Sequence, residues 1–409
     1  MKKSIIGLGI SLFISTNSIA TITNDPYFLE QWSHNNTGQT GGITDADIDL
    51  PEAWQIETGN KDIMVAIIDS GININHEDLK DRIWTNTAEI PNNGIDDDNN
   101  GFIDDINGWN FQNNSSDVSD YMGHGTLVTG IIAAVPNNNK GIAGIAQNVT
   151  IMPIRIQQKE NPDETQLSNA ITYAVDNGAD IINMSLAGRN YSAKVKTAVD
   201  YAHQNGVLMV ASAANYGTNN DTSAAYPASY GSPSIISVAA TDHSDGLGNF
   251  GFVAGSSCYG ATSVHVAAPG VDLRTTGVLF GMNANNSYTT ISGTSLSAPI
   301  VSGIATLMLS LDPSLTPEQI KQILIETSDE VSELSGLVQA NGRVNAYKAL
   351  SYVSQNIETE EGEGETEEGQ VEEGQVEEGQ VEEGQVEEGQ TEEGQTEEGQ
   401  TEEGQTEEG

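Results

Sequence analysis

The stretch Ile63-Met-Val-Ala-Ile-Ile-Asp-Ser-Gly-Ile72 opens with apolar residues only and then meets Asp69, Ser70 and Gly71. So short a block, rich in Ile and Val, suits a strand buried on both faces, and the acid marks where the chain leaves the sheet. The same texture returns at Ile181 to Leu186, Val207 to Ala213 and Ile235 to Ala240. Between these blocks the period changes. Leu167, Ala170, Ile171, Ala174 and Val175 recur at helical spacing before Gly178, and Val195, Ala198, Val199 and Ala202 do so before Gly206. Strands alternating with helices predict an α/β domain in three layers, a mainly parallel central sheet with helices on both faces. Such sheets gather functional residues at the carboxyl ends of their strands, where Asp69 stands.

Three further segments carry polar residues at the edges of apolar elements. In MGHGTLVTGIIAA, His124 lies between glycines at the head of an apolar helix. In ISGTSLSAPIVSGIATLML, Ser295 follows Gly293-Thr294 at the head of another, which Pro299 is expected to help begin. VLMVASAANYG is a buried strand that ends in the amide of Asn215. Singly, each has a plain structural reading as a turn former or helix cap. Together they match one reaction. A serine hydroxyl needs a base to take its proton, and an imidazole titrating near its ordinary pH can take it and return it to a leaving amine. A buried carboxylate holds that imidazole in the right tautomer. Asp69, His124 and Ser295 fit these roles, while Asn215 and the Ser295 N–H fit the stabilisation of an oxyanion.

These segments, with NDPYFLEQW, INMSLAG, VAAPG and GRVNAYKAL, resemble the subtilisin-like serine peptidases (subtilases), most closely the thermitase type, over roughly Asn24 to Tyr352. The order Asp, His, Ser is that of subtilisin. The resemblance implies a subtilisin-like fold and an endopeptidase that works through an acyl-enzyme intermediate. It also implies that a peptide substrate pairs as an added strand with Ser185, Leu186, Ala187 and Gly188. The primary specificity pocket would lie between this segment and Ala211 to Ala214, with Ala225 near its floor. Ala187, Ala214 and Ala225 stand where the family usually has Gly, so a shallow pocket for small or medium apolar side chains is expected. Leu127 and Leu296 replace the family's usual His and Met; the latter change removes an oxidisable sulfur beside the nucleophile. Many secreted members carry a pro-segment that assists folding; here the catalytic part begins almost directly after Ala20.

Calcium is the expected cofactor. By the resemblance, Asp25, Asp78 and the side chain of Asn138 would bind it together with the carbonyls of Val135, Lys140 and Ile142, an all-oxygen set that suits a hard cation. A second candidate is read from spacing in NGIDDDNNGFIDDINGW. Asp96, Asp98 and Asn100 alternate, Gly101 follows, Phe102 offers a carbonyl and Asp104 a carboxylate. This matches the early positions of an EF-hand loop, but Asn107 stands where the bidentate Glu belongs, and Asp105 is expected to complete the shell differently.

The 409 residues carry 59 Asp and Glu against 15 Lys and Arg, a formal net charge of −44. From Glu358 onward there are 23 Glu and no basic residue, which leaves 36 acids against the 15 bases before it. Successive VEEGQ and TEEGQ units make that tail. A five-residue period fits no helix, and valine alone supplies too little apolar surface to order the backbone. The expected organisation is a signal peptide at 1–20, a peptidase domain at 21–353 and a disordered acidic tail at 354–409. Met1 to Ala20 has two lysines, a short apolar run and small residues before Thr21, the layout of an export signal. No later segment reads as a membrane span, and the charge excludes a nucleic-acid partner, which needs a basic surface. The lone Cys258 forms no internal disulfide and reads as a small buried apolar residue. The reading is a monomeric secreted or cell-surface enzyme acting on protein and peptide substrates. Its rivals are a catalytically silent binding protein on the same fold and an acidic calcium-buffering spacer.

Overall fold

The computed structural model describes residues 23–278 and 286–364. The expected signal peptide and the repeats beyond Gly364 lie outside the described residues. The strands are β1 (Met64–Asp69), β2 (Trp109–Asn110), β3 (Thr150–Arg155), β4 (Ile181–Met184), β5 (Leu208–Ser212), β6 (Ile235–Thr241), β7 (Val266–Pro269), β8 (Leu273–Gly277), β9 (Ser287–Ile291), β10 (Asp329–Glu330) and β11 (Gly342–Arg343). Nine of them form one sheet in the order β10-β11-β7-β6-β5-β4-β1-β3-β2. Its pairings are parallel except at β10–β11, and β8 and β9 make a separate antiparallel pair. The helices are α1 (Leu50–Ala53), α2 (His124–Ala133), α3 (Glu164–Asp176), α4 (Ala193–Gln204), α5 (Gly251–Ala254), α6 (Thr294–Leu311), α7 (Pro317–Glu326) and α8 (Ala346–Gly364).

The layering follows from residue alternation along the strands. Val65 and Ile67 of β1 and Val210 of β5 join the core shared with α2 and α6. Ala66 and Ile68, with Ile182 and Met209, join the core shared with α3 and α4. All of these side chains are buried, which is why the strands read as continuous apolar runs. Helix α6 is long and apolar enough to cross a membrane by composition, but 83% of it is buried inside the fold, so it is the central core helix.

Local sequence sets the helix ends. Asp163 accepts from the N–H groups of Thr165 and Gln166 (3.0 and 3.1 Å) to start α3, and Thr316 and Gln319 form a reciprocal capping box at α7. Two expectations shift. Pro299 lies inside α6 rather than at its start. The chain from 354, expected as tail, continues α8 through Gly364. Ile357 extends the apolar stripe of Ala349, Leu350 and Val353 onto the core, and glutamate tolerates a helix well.

Candidate active site

The carboxyl ends of β1, β4 and β5 converge with the amino ends of α2 and α6. Asp69 is the last residue of β1 and is fully buried; His124 is the first of α2. His124 Nδ1 lies 2.9 Å from Asp69 Oδ1 and 3.0 Å from Oδ2. This close approach requires Gly125, where a methyl group would come within 2.0 Å of the Gly71 carbonyl oxygen. Asp120 fixes the helix start: it accepts from the N–H groups of Gly123 (2.7 Å) and Thr126 (3.0 Å) and from the Thr126 hydroxyl (2.7 Å). Burial works against a charged imidazole, but the Asp69 carboxylate, aided by Asp120, outweighs it and raises the His124 pKa above its ordinary 6.5.

Ser295 is the second residue of α6, so its N–H has no helical partner. Asn215, just past β5, is oriented by Thr294, whose N–H and hydroxyl donate to Asn215 Oδ1 at 3.0 and 2.7 Å. The Asn215 Nδ2 is thereby presented to the space beside Ser295. A methyl on Gly293 would lie 3.2 Å from Ser295 Oγ and 3.4 Å from Asn215 Nδ2, so only glycine leaves that space open.

A cavity of about 280 Å³ is lined by His124, Ser295, Asn215, Ser185, Leu186, Ala187 and Ala214. The Ala187 backbone N–H and C=O have no partner among the described residues, which leaves them free to pair with a peptide strand. Gly188 is placed differently: its N–H and C=O both pair with Tyr226 at 2.8 Å, and it faces a second cavity with Tyr191 and Tyr230. Ala225 does not line the first cavity but is buried in the small-residue cluster behind it with Ala213, Ala214 and the free Cys258. Ala214 takes a positive φ of 85°, a conformation that costs a side chain energy and explains the family's glycine there. Sequence reasoning did not single out Gln158, Lys159, Glu160 and Tyr216 of the same cavity. Arg189 stacks on Tyr216, its guanidinium carbon 4.0 Å from the ring centre.

The first calcium set comes together. Asp25 accepts from Asn137 N–H (2.9 Å) and Asn138 N–H (3.2 Å), and Asp78 from Ile142 N–H (3.2 Å) and Tyr288 OH (2.9 Å). Both carboxylates are buried, and among the described residues neither has an ion pair; Lys140 pairs with Glu77 instead (3.3 Å). Burial, with the Asp78 charge adding to it, raises the Asp25 pKa. The carbonyls of Val135, Lys140 and Ile142 accept no hydrogen bond among the described residues, whereas those of Gly141 and Ala143 do. Uncompensated carboxylates beside unsatisfied carbonyls fit a hard cation. Asn138 turns its amide nitrogen, not its oxygen, to Asp78 (2.7 Å).

In the second loop, Asp96 and Asp98 meet Glu89, which lies outside the motif, with oxygens within 4.8 Å of one another. Asn100 Oδ1 accepts from the N–H of Phe102 (2.8 Å). Asp104 instead accepts from the N–H groups of Asn93 (3.1 Å) and Gly94 (2.9 Å). Asp105 is buried under Tyr173, accepting its hydroxyl at 2.6 Å and the Asn86 amide at 2.9 Å.

Residues 60–364 match the Subtilase family of peptidases, and the chain belongs to that family of serine peptidases. It is 35% identical over 330 residues to "Thermitase" of Thermoactinomyces vulgaris, covering 80% of this chain and 99% of the relative. It is 30% identical over 315 residues to "Cell wall-associated protease" of Bacillus subtilis (strain 168), covering 76% of this chain and 31% of that longer protein. Among solved structures, a protease from Pseudoalteromonas arctica PAMC 21717 superposes with a TM-score of 0.66 at 26% identity, covering 81% of this chain and 100% of that one.

Proposed function

We propose that this peptidase is an exported, calcium-stabilised endopeptidase in which Asp69, His124 and Ser295 form the catalytic triad. The observation that carries the reading is the Asp69–His124 contact at 2.9 Å, opening on the same cavity as Ser295 and the oriented Asn215 amide. The Ser295 oxygen attacks the scissile carbonyl while its proton passes to His124 Nε2. Asp69 holds the Nδ1–H and stabilises the imidazolium. Asn215 Nδ2 and the Ser295 N–H meet the oxyanion as it forms. His124 then gives its proton to the leaving amine, and a water, deprotonated by His124, releases the acyl group.

Ser185, Leu186 and Ala187 would hold the peptide by strand addition, Gly188 being engaged by Tyr226. Asp25, Asp78 and the carbonyls of Val135, Lys140 and Ile142 would hold one calcium; Glu89, Asp96 and Asp98 would hold another. Bound calcium supplies cross-linking charge in a chain whose one cysteine is free. The amino-terminal export signal and the cell-wall-associated relative support a location outside the cytoplasm. The full chain, loaded with calcium, is expected to cut internal bonds of casein. Ser295→Ala should abolish this without changing the circular dichroism spectrum; unchanged cutting by that variant would refute the reading.

A further inference from the structure

We propose that Gln158 is a positioning residue of the hydrolytic site: its side-chain amide holds one oxygen of Asp69 and so sets how strongly that carboxylate charges His124. The proposal rests on the triad reading above. Gln158 Nε2 donates to Asp69 Oδ1 at 2.8 Å. The same oxygen receives the Ser70 N–H at 2.7 Å and lies 2.9 Å from His124 Nδ1, whereas Oδ2 meets only the imidazole among the described residues, at 3.0 Å. The sheet delivers this contact. Strands β1 and β3 are neighbours with Asp69 opposite Arg155, and the Ile156 N–H donates to the Asp69 carbonyl at 2.8 Å. The chain leaving β3 therefore passes directly beside Asp69, and Gln158, half-buried, closes over it at the wall of the substrate cavity.

A neutral donor on a carboxylate oxygen stabilises the anion and draws charge from the atom that faces the imidazole. Asp69 then supports the imidazolium less strongly, and His124 stays available as a base to lower pH than it otherwise would. The charged groups facing His124 are Asp69 from β1, Asp120 ahead of α2, and Lys159 and Glu160 from the cavity wall; α6 contributes only Thr294 and Ser295 there. Replacing Gln158 leaves all of these in place. Loss of the amide should raise the His124 pKa, and a carboxylate in its place should raise it further by adding a second negative charge near the imidazolium.

The test is the pH dependence of Ser295 phosphonylation by a fluorophosphonate, in which the serine oxygen displaces fluoride at phosphorus, from about pH 5 to pH 9, in the full calcium-loaded chain. Wild type, Gln158→Ala and Gln158→Glu are compared, with kcat and KM for a peptide substrate measured at the alkaline plateau. The acid limb should move up by about half a unit in Gln158→Ala and by about one unit in Gln158→Glu. Below the limb these shifts appear as roughly threefold and tenfold losses of rate, with KM within about twofold of wild type. Gln158→Glu keeps the side-chain length, so the charge test stands even if the alanine variant folds poorly. Coincident limbs in a wild type and variants that all label would overturn the role of Gln158 alone. A folded wild type that never labels would overturn the triad reading, and this proposal with it.

Discussion

In the proposed triad, the hydroxyl of Ser295 would gain its reactivity from neighbours that three different elements bring to it, so each neighbour has its own signature. His124 must be neutral to take the proton, and its pKa is raised above 6.5 by Asp69 and Asp120. Activity should therefore be lost as pH falls through a value above 6.5, and Asp120→Asn, removing one of the two raising charges, should move that limb down. A pH–rate profile of both proteins checks the sign. Asn215→Leu keeps bulk but removes the amide that Thr294 orients. It should lower kcat on the order of 10²–10³ with KM little changed, the loss known for such a donor in subtilisin. Ala214 pays about 1 kcal/mol for its positive φ. Ala214→Gly relieves that strain while loosening the unfolded chain by a similar amount, so its melting temperature should shift little. Its kcat/KM should rise for Phe relative to Ala at the P1 position, as the methyl leaves the cavity wall. An unchanged ratio would show that Ala214 does not shape the pocket.

Within α6, Pro299 lacks the N–H that would bond the Ser295 carbonyl one turn earlier. The Ser185 hydroxyl donates to that carbonyl instead, at 2.7 Å, and itself accepts from Asn183 Nδ2 at 3.0 Å. The segment after β4 and helix α6, which carry the proposed peptide-binding residues and nucleophile, are thus joined through a gap that proline creates. Ser185→Ala should cost about 1–3 kcal/mol by leaving the carbonyl unsatisfied, and adding Pro299→Ala should recover part of it by restoring the helical bond. Denaturant unfolding of the two single variants and the double variant measures this coupling. The same scale shows what sequence reading missed. The four strands read from Ile- and Val-rich runs are present, but β3 was not singled out. Pro153 interrupts TIMPIR, and it is tolerated because on that edge Ile83 bridges to Ile151 and β2 pairs with Ile154 and Arg155, so the proline falls between the two pairings. The domain is expected to end at 353 because the Glu-rich sequence beyond reads as tail, while the packing of Ile357 that prolongs α8 depends on the fold.

Over the whole molecule, the residues legible in sequence were those with a motif of their own: Asp69, His124, Asn215 and Ser295 each sit at the edge of a recognisable strand or helix. Gln158 and Glu89 were not legible, because each meets its partner only when distant segments fold together. On the proposed reading, calcium would stand in this acidic chain where exported proteins elsewhere use disulfides. Chelation should lower the melting temperature, and binding at a hundredfold excess over Kd is worth about 2.7 kcal/mol. Asp78→Asn should lose much of that response, as a calcium titration of thermal unfolding would show. Deleting residues 365–409 should leave casein hydrolysis unchanged while removing much of the net charge. The most direct measurement of the central claim is fluorophosphonate labelling of the folded, calcium-loaded chain, with the adduct located by mass spectrometry. A single adduct on Ser295, slowed in His124→Ala, is the predicted result. An unlabelled folded protein, or an adduct on another residue, would contradict it.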